Sequence, residues 1–439
     1  MINETVILLI PLKDYSTHIL CRRAPYWGFG HPFELYDYEP LKRLFTRVVV
    51  YDYIERMLEV GLKTVNRELI ELVSKERPKY VVWPSVNYEF LGSTFDAIRK
   101  QGTMIVGLFF DDEFRFDNYS KYWIPHLDYC VTNDAEAVPK YRELGARVLH
   151  TFVCHNVPLD VDWSNIKEKY DVSFVGSKAY DREQYINKIR GKGIAVNVAG
   201  SGWDRGWIPR EEMIDIFRSS KINLNFSKTQ GNRLGWKGRI LETINAGGFL
   251  LTEYRPSIEE YFEIGKEIVC FRNAEEMIDK IIYYLNYDEE RRAIAQAGWR
   301  RGVSQYTPFH MYSRLFTEIK SDIAEKGRKN NRSSLELKMP INACRLASVY
   351  YMKWGYLFLL DNYKGLWKDA LAISISYYPF NIFSWCYYIT GLLPFFMRSP
   401  LFILHAILGK LHRVQLSMLA SIPYLRKIRQ SFTKRLFHT

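Results

Sequence analysis

Paired cysteines are missing from this sequence, which contains only six cysteines in 439 residues. No two of them form a CxxC pair, and none lies near a histidine at the spacing of a metal site. This excludes a disulfide framework and favours reduced, buried thiols in a cytoplasmic protein. A long apolar leader is also lacking, because the first apolar run, 5–12, has eight residues and follows an acidic residue. The run predicts a core strand and argues against a secretory signal.

Acidic residues are scarce at one end of the chain only. Residues 325–439 contain 17 Lys and Arg against 4 Asp and Glu, whereas residues 1–324 contain 44 against 45. The net charge of +12 therefore belongs to the tail. A nucleic-acid enzyme more often carries its positive face on the folded catalytic body, so no nucleic-acid partner is predicted.

The sequence does contain a regular alternation of strand and helix patterns. Short β-branched or aromatic runs occur at 5–11, 47–51, 80–83, 104–110 and 129–132, and a clear helical pattern occurs at 54–76. A segment containing one Pro and two Asp, 157–162, interrupts this rhythm, which restarts at 170 and continues to 302. The alternation predicts an α/β fold of two Rossmann-like, doubly wound domains facing a cleft, with boundaries 1–158 and 159–324.

The most informative stretch is 221–253, KINLNFSKTQGNRLGWKGRILETINAGGFLLTE. It predicts a strand, a polar loop holding Lys228, Arg233 and Lys237, a helix near 238–246, a glycine stop and a second strand. Ligands of open α/β sheets lie at the carboxyl ends of strands and the N-termini of helices, where this loop is placed. Its three cations indicate an anionic ligand, with a diphosphate as the first hypothesis.

Several motifs carry a family resemblance. They are SKINLNFS, the pattern Lys237-x-Arg239-x-x-Glu242 followed by AGGFLLTE, YF-x-x-G-x-E at 261–267, R-x-x-IA-x-x-G at 291–298, FFDDEFRFDNYSKYW at 109–123, and YDVSFVGS. In this order they resemble the CgeB-like glycosyltransferases, which belong to the group-one set with the two-domain GT-B fold. The resemblance covers residues 80–320. It implies transfer of a sugar from a nucleotide-sugar donor whose nucleotide is held by the second domain.

The resemblance and the chemistry of the side chains suggest roles for this cluster. Lys237 and Arg239 would neutralise the diphosphate and the charge that grows on it as the glycosidic bond breaks. Glu242 shares a helix face with Arg239, and its carboxylate would accept hydrogen bonds from the ribose hydroxyls. The alternative is an ordinary solvated ion pair between Arg239 and Glu242. Many group-one enzymes carry a second Glu where this chain has Leu234, so retaining stereochemistry is not assumed.

Further candidates for donor contact are small or polar residues of the same domain. They are Gly176, Gly200, Gly202, Asn225, Ser227, Gly247 and Gly248. Glycine lets the backbone turn closely near a ligand, but glycine turns are also common structural punctuation. Trp203 is a candidate for stacking on a base, with a core or lid tryptophan as the alternative.

In the first domain, the acidic run Asp111-Asp112-Glu113 follows a predicted buried strand. A carboxylate at the carboxyl end of a strand is placed to act as an acid or base in the cleft, and we predict Asp111 or Asp112 in this role. The alternatives are a helix N-cap and the metal-binding acidic motif of GT-A glycosyltransferases. His31 and His155 are further possible bases. Neither a cofactor nor an essential metal is expected.

The tail carries a separate prediction. Residues 325–338 are polar and basic and are typical of a linker. Residues 339–439 mix apolar and aromatic patches with Lys and Arg, and include an uncharged run at 370–397 that two prolines and an asparagine interrupt. This pattern predicts two or three helices lying in or on a membrane interface, with the basic run 426–435 attracted to anionic lipid. The alternative is a helical subdomain packed on the catalytic body.

These observations predict a cytoplasmic GT-B glycosyltransferase bound peripherally to the inner face of a membrane, with a surface-glycan or lipid-linked acceptor. The rival hypothesis is a non-catalytic nucleotide-binding protein of a surface or spore layer that keeps the same fold.

Overall fold

A computed structural model describes residues 1–11, 34–155, 157–229, 233–327, 337–360 and 365–392. Three sequence predictions therefore lie wholly or largely outside the described residues: the possible base His31, the linker 325–338 and the basic run 426–435. The chain divides into two compact units, of which the first extends to Ala343 and the second begins at Cys344.

The first unit contains two parallel sheets. The strands of the first sheet are β1 (Ile2–Leu9), β2 (Phe45–Tyr51), β3 (Tyr80–Ser85), β4 (Met104–Phe109), β5 (Tyr129–Thr132) and β6 (Val148–His150). They pair in the order β2-β1-β3-β4-β5-β6. β3, β4 and β5 are buried along their whole length, which explains why their sequences are continuous apolar runs rather than alternating patterns.

Helices connect these strands and have recognisable end signals. They are α1 (Glu39–Leu44), α2 (Tyr53–Glu76), α3 (Gly92–Lys100), α4 (Asp112–Arg115) and α5 (Ala137–Glu143), with a π-helical turn at Glu34–Tyr38 and a 3₁₀ helix at Ser120–His126. α2 begins after Asp52, whose side chain accepts a hydrogen bond from the Glu55 amide over 3.1 Å. It ends at Arg77 in the left-handed conformation, and Gly61 with a φ of 80° kinks its middle.

The second sheet has five parallel strands. They are β7 (Tyr170–Val175), β8 (Val196–Ala199), β9 (Ser220–Asn225), β10 (Leu250–Glu253) and β11 (Val269–Phe271), in the order β11-β10-β9-β7-β8. Its helices are α6 (Arg182–Arg190), α7 (Arg210–Ser219), α8 (Gly238–Asn245), α9 (Ala274–Asn286) and α10 (Asp288–Gln305). The strand order reverses between β7 and β9, which makes their carboxyl ends the topological switch point. The predicted fold class, two Rossmann-like doubly wound α/β domains, is confirmed.

Helix α11 (Pro308–Lys326) follows the second domain in sequence and packs on the first sheet. The Phe316 ring meets the rings of Phe45 and Tyr80, with centroids 4.7 and 5.1 Å away. The Tyr129 hydroxyl on β5 donates a hydrogen bond to Asp322 over 2.9 Å. The sequence assigned residues up to 324 to the second domain, and the structure adds that the last helix of this range returns to the first.

Three further helices follow, α12 (Ile341–Leu360), α13 (Leu366–Tyr377) and α14 (Ile382–Leu392), and all but the first three residues of α12 belong to the second unit. A chain of buried polar groups joins them: the Ser374 hydroxyl lies 2.9 Å from that of Ser348 and 2.7 Å from that of Ser384. Asn381 donates to the Ser348 hydroxyl over 2.9 Å. The predicted tail helices are therefore present. Within the described residues, no helix is both long enough and apolar enough to cross a bilayer.

The packing of α11 predicts a large effect of Phe316→Ala. Phe316 is 1% exposed, so truncation leaves a cavity between α11 and the sheet, and we expect the free energy of unfolding to fall by roughly 3–5 kcal/mol in urea denaturation. Ile282→Ala, at a side chain that is 45% exposed on α9, is the control and should change it by about 0.5 kcal/mol or less. Equal stability of the two variants would contradict this packing.

Candidate functional site

The basic stretch lies at the switch point of the second sheet. β9 ends at Asn225, and Lys237 occupies the N-cap of α8 without a capping side-chain hydrogen bond. The Arg239 Nε donates to the backbone carbonyl of Val175, the last residue of β7, over 3.2 Å. The start of α8 is therefore anchored at the carboxyl edge of the sheet, where open α/β sheets bind ligands.

Glu242 is a buried carboxylate between two partners. Its side chain is 2% exposed, Oε1 lies 2.7 Å from the His155 Nδ1, and Oε2 pairs with the Arg239 guanidinium. Burial raises the pKa of Glu242, but Arg239 and His155 outweigh burial and hold this pKa well below its usual range. The carboxylate is therefore ionised at neutral pH. The alternative hypothesis, a solvated ion pair between Arg239 and Glu242, gave the pairing correctly. The Glu242 carboxylate, however, is buried rather than solvated.

His155 reaches Glu242 because α8 begins with glycine. A Cβ on Gly238 would lie 2.6 Å from the His155 Cε1, so any larger residue would push the ring away. Tyr36 of the first domain also contacts the imidazole, and its ring stacks on that of His155 at 4.4 Å and 18°. Burial and the charge of Glu242 raise the pKa of Tyr36 above its ordinary value, so its hydroxyl stays protonated at neutral pH.

A second contact between the domains joins Lys237 and Glu113. The Lys237 Nζ lies 3.5 Å from the Glu113 Oε1, and a Cβ on Gly235 would lie 2.0 Å from the same oxygen. The Arg233 guanidinium donates to the backbone carbonyl of Glu113. Burial and the charge of Asp111 raise the pKa of Glu113 to about 7, while Lys237 opposes the shift. Glu113 therefore exchanges its proton near neutral pH and offsets the charge of Lys237 only in part.

The two acids predicted as catalytic differ in their surroundings. Asp112 is fully buried, and its carboxylate accepts hydrogen bonds from Ser120 over 2.5 Å and from Tyr141 over 2.9 Å. Burial raises the pKa of Asp112 to about 6. Asp111 is half-buried, with a φ of 72° that is uncommon for residues other than glycine, and its side chain does not cap α4. The catalytic role of either acid stays a prediction.

Three of the predicted glycines meet in one turn beside β7. Gly200 has a φ of 124°, and a Cβ there would lie 2.3 Å from the carbonyl oxygen of Gly176. The Trp203 indole donates to this same carbonyl over 2.9 Å, and Gly202 has a φ of 86°. The turn thus requires glycine for its own packing, and its contact with a donor stays a prediction.

Asn225 and Ser227 are buried and hydrogen-bonded to the next strand. The Asn225 side chain donates to the Thr252 hydroxyl over 2.8 Å, and the Ser227 hydroxyl donates to the Glu253 carbonyl over 3.0 Å. The Glu253 carboxylate accepts a hydrogen bond from the Ser227 amide over 2.8 Å. These contacts hold the start of the loop on β10, and a role in donor binding stays a prediction.

Gly247 and Gly248 lie at the other end of α8 from Lys237. The helix has eight residues, so about 12 Å along its axis separates the two ends. Gly247 has a φ of 89° and packs against Val161, and a Cβ on Gly248 would lie 2.7 Å from the Phe217 carbonyl. The structure does not bring these glycines together with the cations at the start of α8.

Sequence reasoning did not connect the first domain to the basic loop. It named His155 as one possible base, placed Glu113 in an acidic run, and did not single out Tyr36. His155 is 87 residues from Glu242, and Glu113 is 124 residues from Lys237. One feature of the sequence could have indicated these contacts. Gly235 and Gly238 flank Lys237, and glycine permits close approach of another chain segment.

The site combines an anion-attracting helix start with carboxylates of the first domain. Such an arrangement can bind a phosphate at α8 and place a proton acceptor opposite it. Among the described residues, no three His, Cys, Asp or Glu side chains are grouped as a metal ion requires. The independence from metal stays a prediction.

The raised pKa of Glu113 predicts a pH-dependent effect of Glu113→Gln. The folded state holds the proton up to about pH 7 and the unfolded state releases it near the ordinary value of 4.5, so this carboxyl lowers stability as pH rises between these values. Relative to the wild type, Glu113→Gln should therefore gain roughly 1–3 kcal/mol in unfolding free energy from pH 4.5 to pH 8.

Urea denaturation at several pH values measures this difference. Glu263→Gln is the control, because that carboxylate is exposed and pairs with the exposed Lys266. A difference between Glu113→Gln and the wild type that stays constant with pH would contradict the proposed burial.

Solved structures of similar fold include several glycosyltransferases. AviGT4, a glycosyltransferase involved in avilamycin A biosynthesis, is 11% identical with a TM-score of 0.46, and the match covers 73% of this chain and 98% of that chain. A glycosyltransferase from Rickettsia africae is 12% identical with a TM-score of 0.45, covering 74% and 99%. A Listeria monocytogenes protein described as a UDP-N-acetylglucosamine 2-epimerase is 12% identical with a TM-score of 0.44, covering 74% and 98%. Likenesses at this level carry no argument about function.

No curated protein sequence matches the chain. The narrower resemblance to CgeB-like proteins stays a prediction. Residues 182–317 match the family model described as "Glycosyl transferase-like", from the start of α6 into α11. This stretch, which includes Lys237, Arg239 and Glu242, is therefore similar to the glycosyl transferase-like family.

Proposed function

We propose that this protein is a glycosyltransferase that moves a sugar from a nucleotide-sugar donor to an acceptor. The observation that carries the proposal is the cluster at the switch point of the second sheet. There, the start of α8 presents Lys237 beside the ionised Glu242, and Glu113 and His155 face them. The match to the glycosyl transferase-like family over the same part of the chain supports this function.

The donor diphosphate would lie at the start of α8. Lys237 at the N-cap and the positive end of the helix dipole both favour an anion there. As the glycosidic bond breaks, negative charge grows on the leaving diphosphate, and fixed positive charge at this place lowers the barrier. Arg239 contributes through the same electrostatic field, although Glu242 offsets part of its charge.

The ribose hydroxyls would bind Glu242. An ionised carboxylate has about four acceptor positions, of which His155 and Arg239 occupy two. A ribose hydroxyl must share an oxygen with these partners or displace the imidazole. Donor binding and the contact between Glu242 and His155 are therefore coupled in this proposal.

The first domain would supply the acid or base. Asp111 or Asp112 remains the proposed acid or base, and Asp111 is the partly exposed residue of the two. Asp112 would act by orienting Ser120 and Tyr141, since both of its oxygens are occupied by them. The scheme includes no cofactor, because the nucleotide-sugar is itself the substrate, and a metal ion is not essential to it.

A nucleotide-binding protein without turnover, for example in a surface or spore layer, is the second candidate. Leu234 stands where many group-one enzymes carry a Glu. Both oxygens of Glu242 already have partners in His155 and Arg239. Both features favour weaker binding of the donor sugar. This candidate predicts nucleotide binding without consumption of any nucleotide-sugar.

Lys237→Ala and Arg239→Ala test the transferase proposal. Each removes positive charge from the proposed leaving-group site, and we expect turnover of the preferred nucleotide-sugar to fall on the order of a hundredfold or more. Purified protein is first incubated with a panel of nucleotide-sugars, and release of the nucleotide is followed. Thermal unfolding of each variant checks that the fold is kept.

Lys188→Ala is the matched control, because Lys188 is an exposed cation of the same domain that pairs with Glu275. It should retain wild-type turnover. Full activity of both Lys237→Ala and Arg239→Ala would contradict the site, and binding without turnover in the wild type would favour the second candidate.

The tail helices would bring the enzyme to an anionic membrane surface, on the cytoplasmic side of the cell membrane. Four side chains of α14 are exposed and apolar at helical spacing: Ile382, Trp385, Ile389 and Leu392. No charged residue lies between 370 and 397, and the sequence beyond is basic. An apolar helix face with aromatic residues beside basic residues is typical of helices that lie in a membrane interface. This location suits a lipid-linked or surface-glycan acceptor.

The double variant Ile382→Asp/Ile389→Asp tests this surface. Burying each isoleucine in the interface contributes on the order of 1.5–3 kcal/mol, so the variant should bind phosphatidylserine-containing vesicles at least roughly tenfold more weakly. Co-sedimentation of the full chain with such vesicles measures this. Ile282→Asp, at an exposed isoleucine of α9, is the control, and equal binding by both would contradict the membrane surface.

A further inference from the structure

Arg255 is a buried cation at the carboxyl edge of the second sheet. It follows β10 by two residues, and it is 6% exposed. Within the described residues its Nε has no hydrogen-bond partner. The Trp236 ring lies beside it, with the ring centroid 5.3 Å from the guanidinium carbon. Because Trp236 precedes Lys237, this places Arg255 beside the start of α8.

Such a placement costs free energy. Burial lowers the pKa of Arg255, which means that the surroundings disfavour its charge. Tyr261 and the carboxylates of Asp134, Glu113 and Glu136 oppose this shift through space. None of them forms an ion pair with Arg255 within the part of the chain that the structure describes. A buried guanidinium without hydrogen bonds is rare, because such groups normally reach a carboxylate, a carbonyl or a ligand.

Other buried or half-buried cations near this edge have partners. The Arg239 guanidinium pairs with Glu242, and the Lys228 ammonium lies 2.6 Å from Asp181. Arg182 also has an unpaired Nε, but its guanidinium donates to the Ser177 hydroxyl over 3.0 Å. Arg255 differs from them because, within the described residues, no protein group forms a hydrogen bond or an ion pair with its guanidinium. Carboxylates of the first domain act on it only through space.

We propose that Arg255 is an anion-binding residue that receives a phosphoryl group of the substrate. The proposal rests on the proposed function, in which a diphosphate lies at the start of α8. A diphosphate carries more than one negative charge, and Lys237 alone cannot neutralise it, since Glu113 competes for the same ammonium. Arg255 supplies the second cation, and its fork of N–H groups fits phosphate oxygens. Glu113 occupies the anionic position while the ligand is absent.

Arg255→Met separates a ligand-binding role from a structural one. The variant keeps the apolar stem over Trp236 but removes the buried charge, so the ligand-free protein should unfold at the same temperature as the wild type or higher. Its affinity for inorganic pyrophosphate should fall roughly tenfold to a hundredfold, the range for a lost charge-assisted hydrogen bond. Titration calorimetry and thermal unfolding of the full chain measure the two effects. Arg255→Gln repeats the comparison with a polar side chain.

Arg272→Met is the matched control. Arg272 follows β11 at the same edge and stacks on Tyr254 at 4.2 Å, but it is exposed. Its loss should leave pyrophosphate affinity unchanged. The proposal is overturned if Arg255→Met and Arg255→Gln bind pyrophosphate as the wild type does, or if the ligand-free variants unfold several degrees lower, which would indicate a structural cation.

Two further sets of affinity measurements identify the source of the phosphoryl group. If it belongs to the donor, the affinity of one or more of UDP, GDP, ADP and dTDP should fall in Arg255→Met together with that of pyrophosphate. If it belongs to the acceptor, the affinities of inorganic phosphate and pyrophosphate should fall while those of the nucleoside diphosphates are kept. Arg255-dependent pyrophosphate binding without sugar transfer would support this subsite and reject the transferase. Transfer with unchanged pyrophosphate binding in the variants would reject the subsite alone.

Discussion

The buried negative charge of Glu242 is the constraint on which the site depends. A carboxylate that is 2% exposed and ionised needs cationic or hydrogen-bonding partners, and Arg239 and His155 provide them. The contact with His155 ties α8 to the segment that joins the two domains. It also explains why α8 must begin with glycine, since any side chain at Gly238 would displace the imidazole.

The same constraint determines how charge is distributed between the domains. Carboxylates of the first domain, among them Asp111, Glu113 and Asp134, face cations of the second, among them Lys237 and Arg255. Because Glu242 offsets Arg239, the positive charge that remains for a ligand lies on Lys237 and Arg255. An entering anion competes with Glu113 for Lys237, and protonation of Glu113 near neutral pH would make that competition easier. Without a ligand, carboxylates of the first domain therefore balance the positive charges of Lys237 and Arg255.

The elements that the sequence predicted well are those with strong local patterns. β5 has the predicted bounds, Tyr129–Thr132, because a short β-branched or aromatic run is recognisable within one window. α11 is different. Its place on the first sheet depends on Phe316 meeting aromatic rings more than 200 residues earlier in the chain, and no periodicity encodes such a contact.

By itself, the sequence determined the order of strands and helices and the grouping of Lys237, Arg239 and Glu242, because residues one turn apart on a helix share a face whatever surrounds them. Only the tertiary structure decided which groups meet them. Glu113 and His155 come from distant positions in the sequence, and Gly247 and Gly248 lie at the far end of α8. Arg255 becomes buried with no hydrogen-bond partner for its Nε among the described residues. The physical reason is that burial and long-range contact set the charge state and availability of a side chain, and these are properties of the packed molecule.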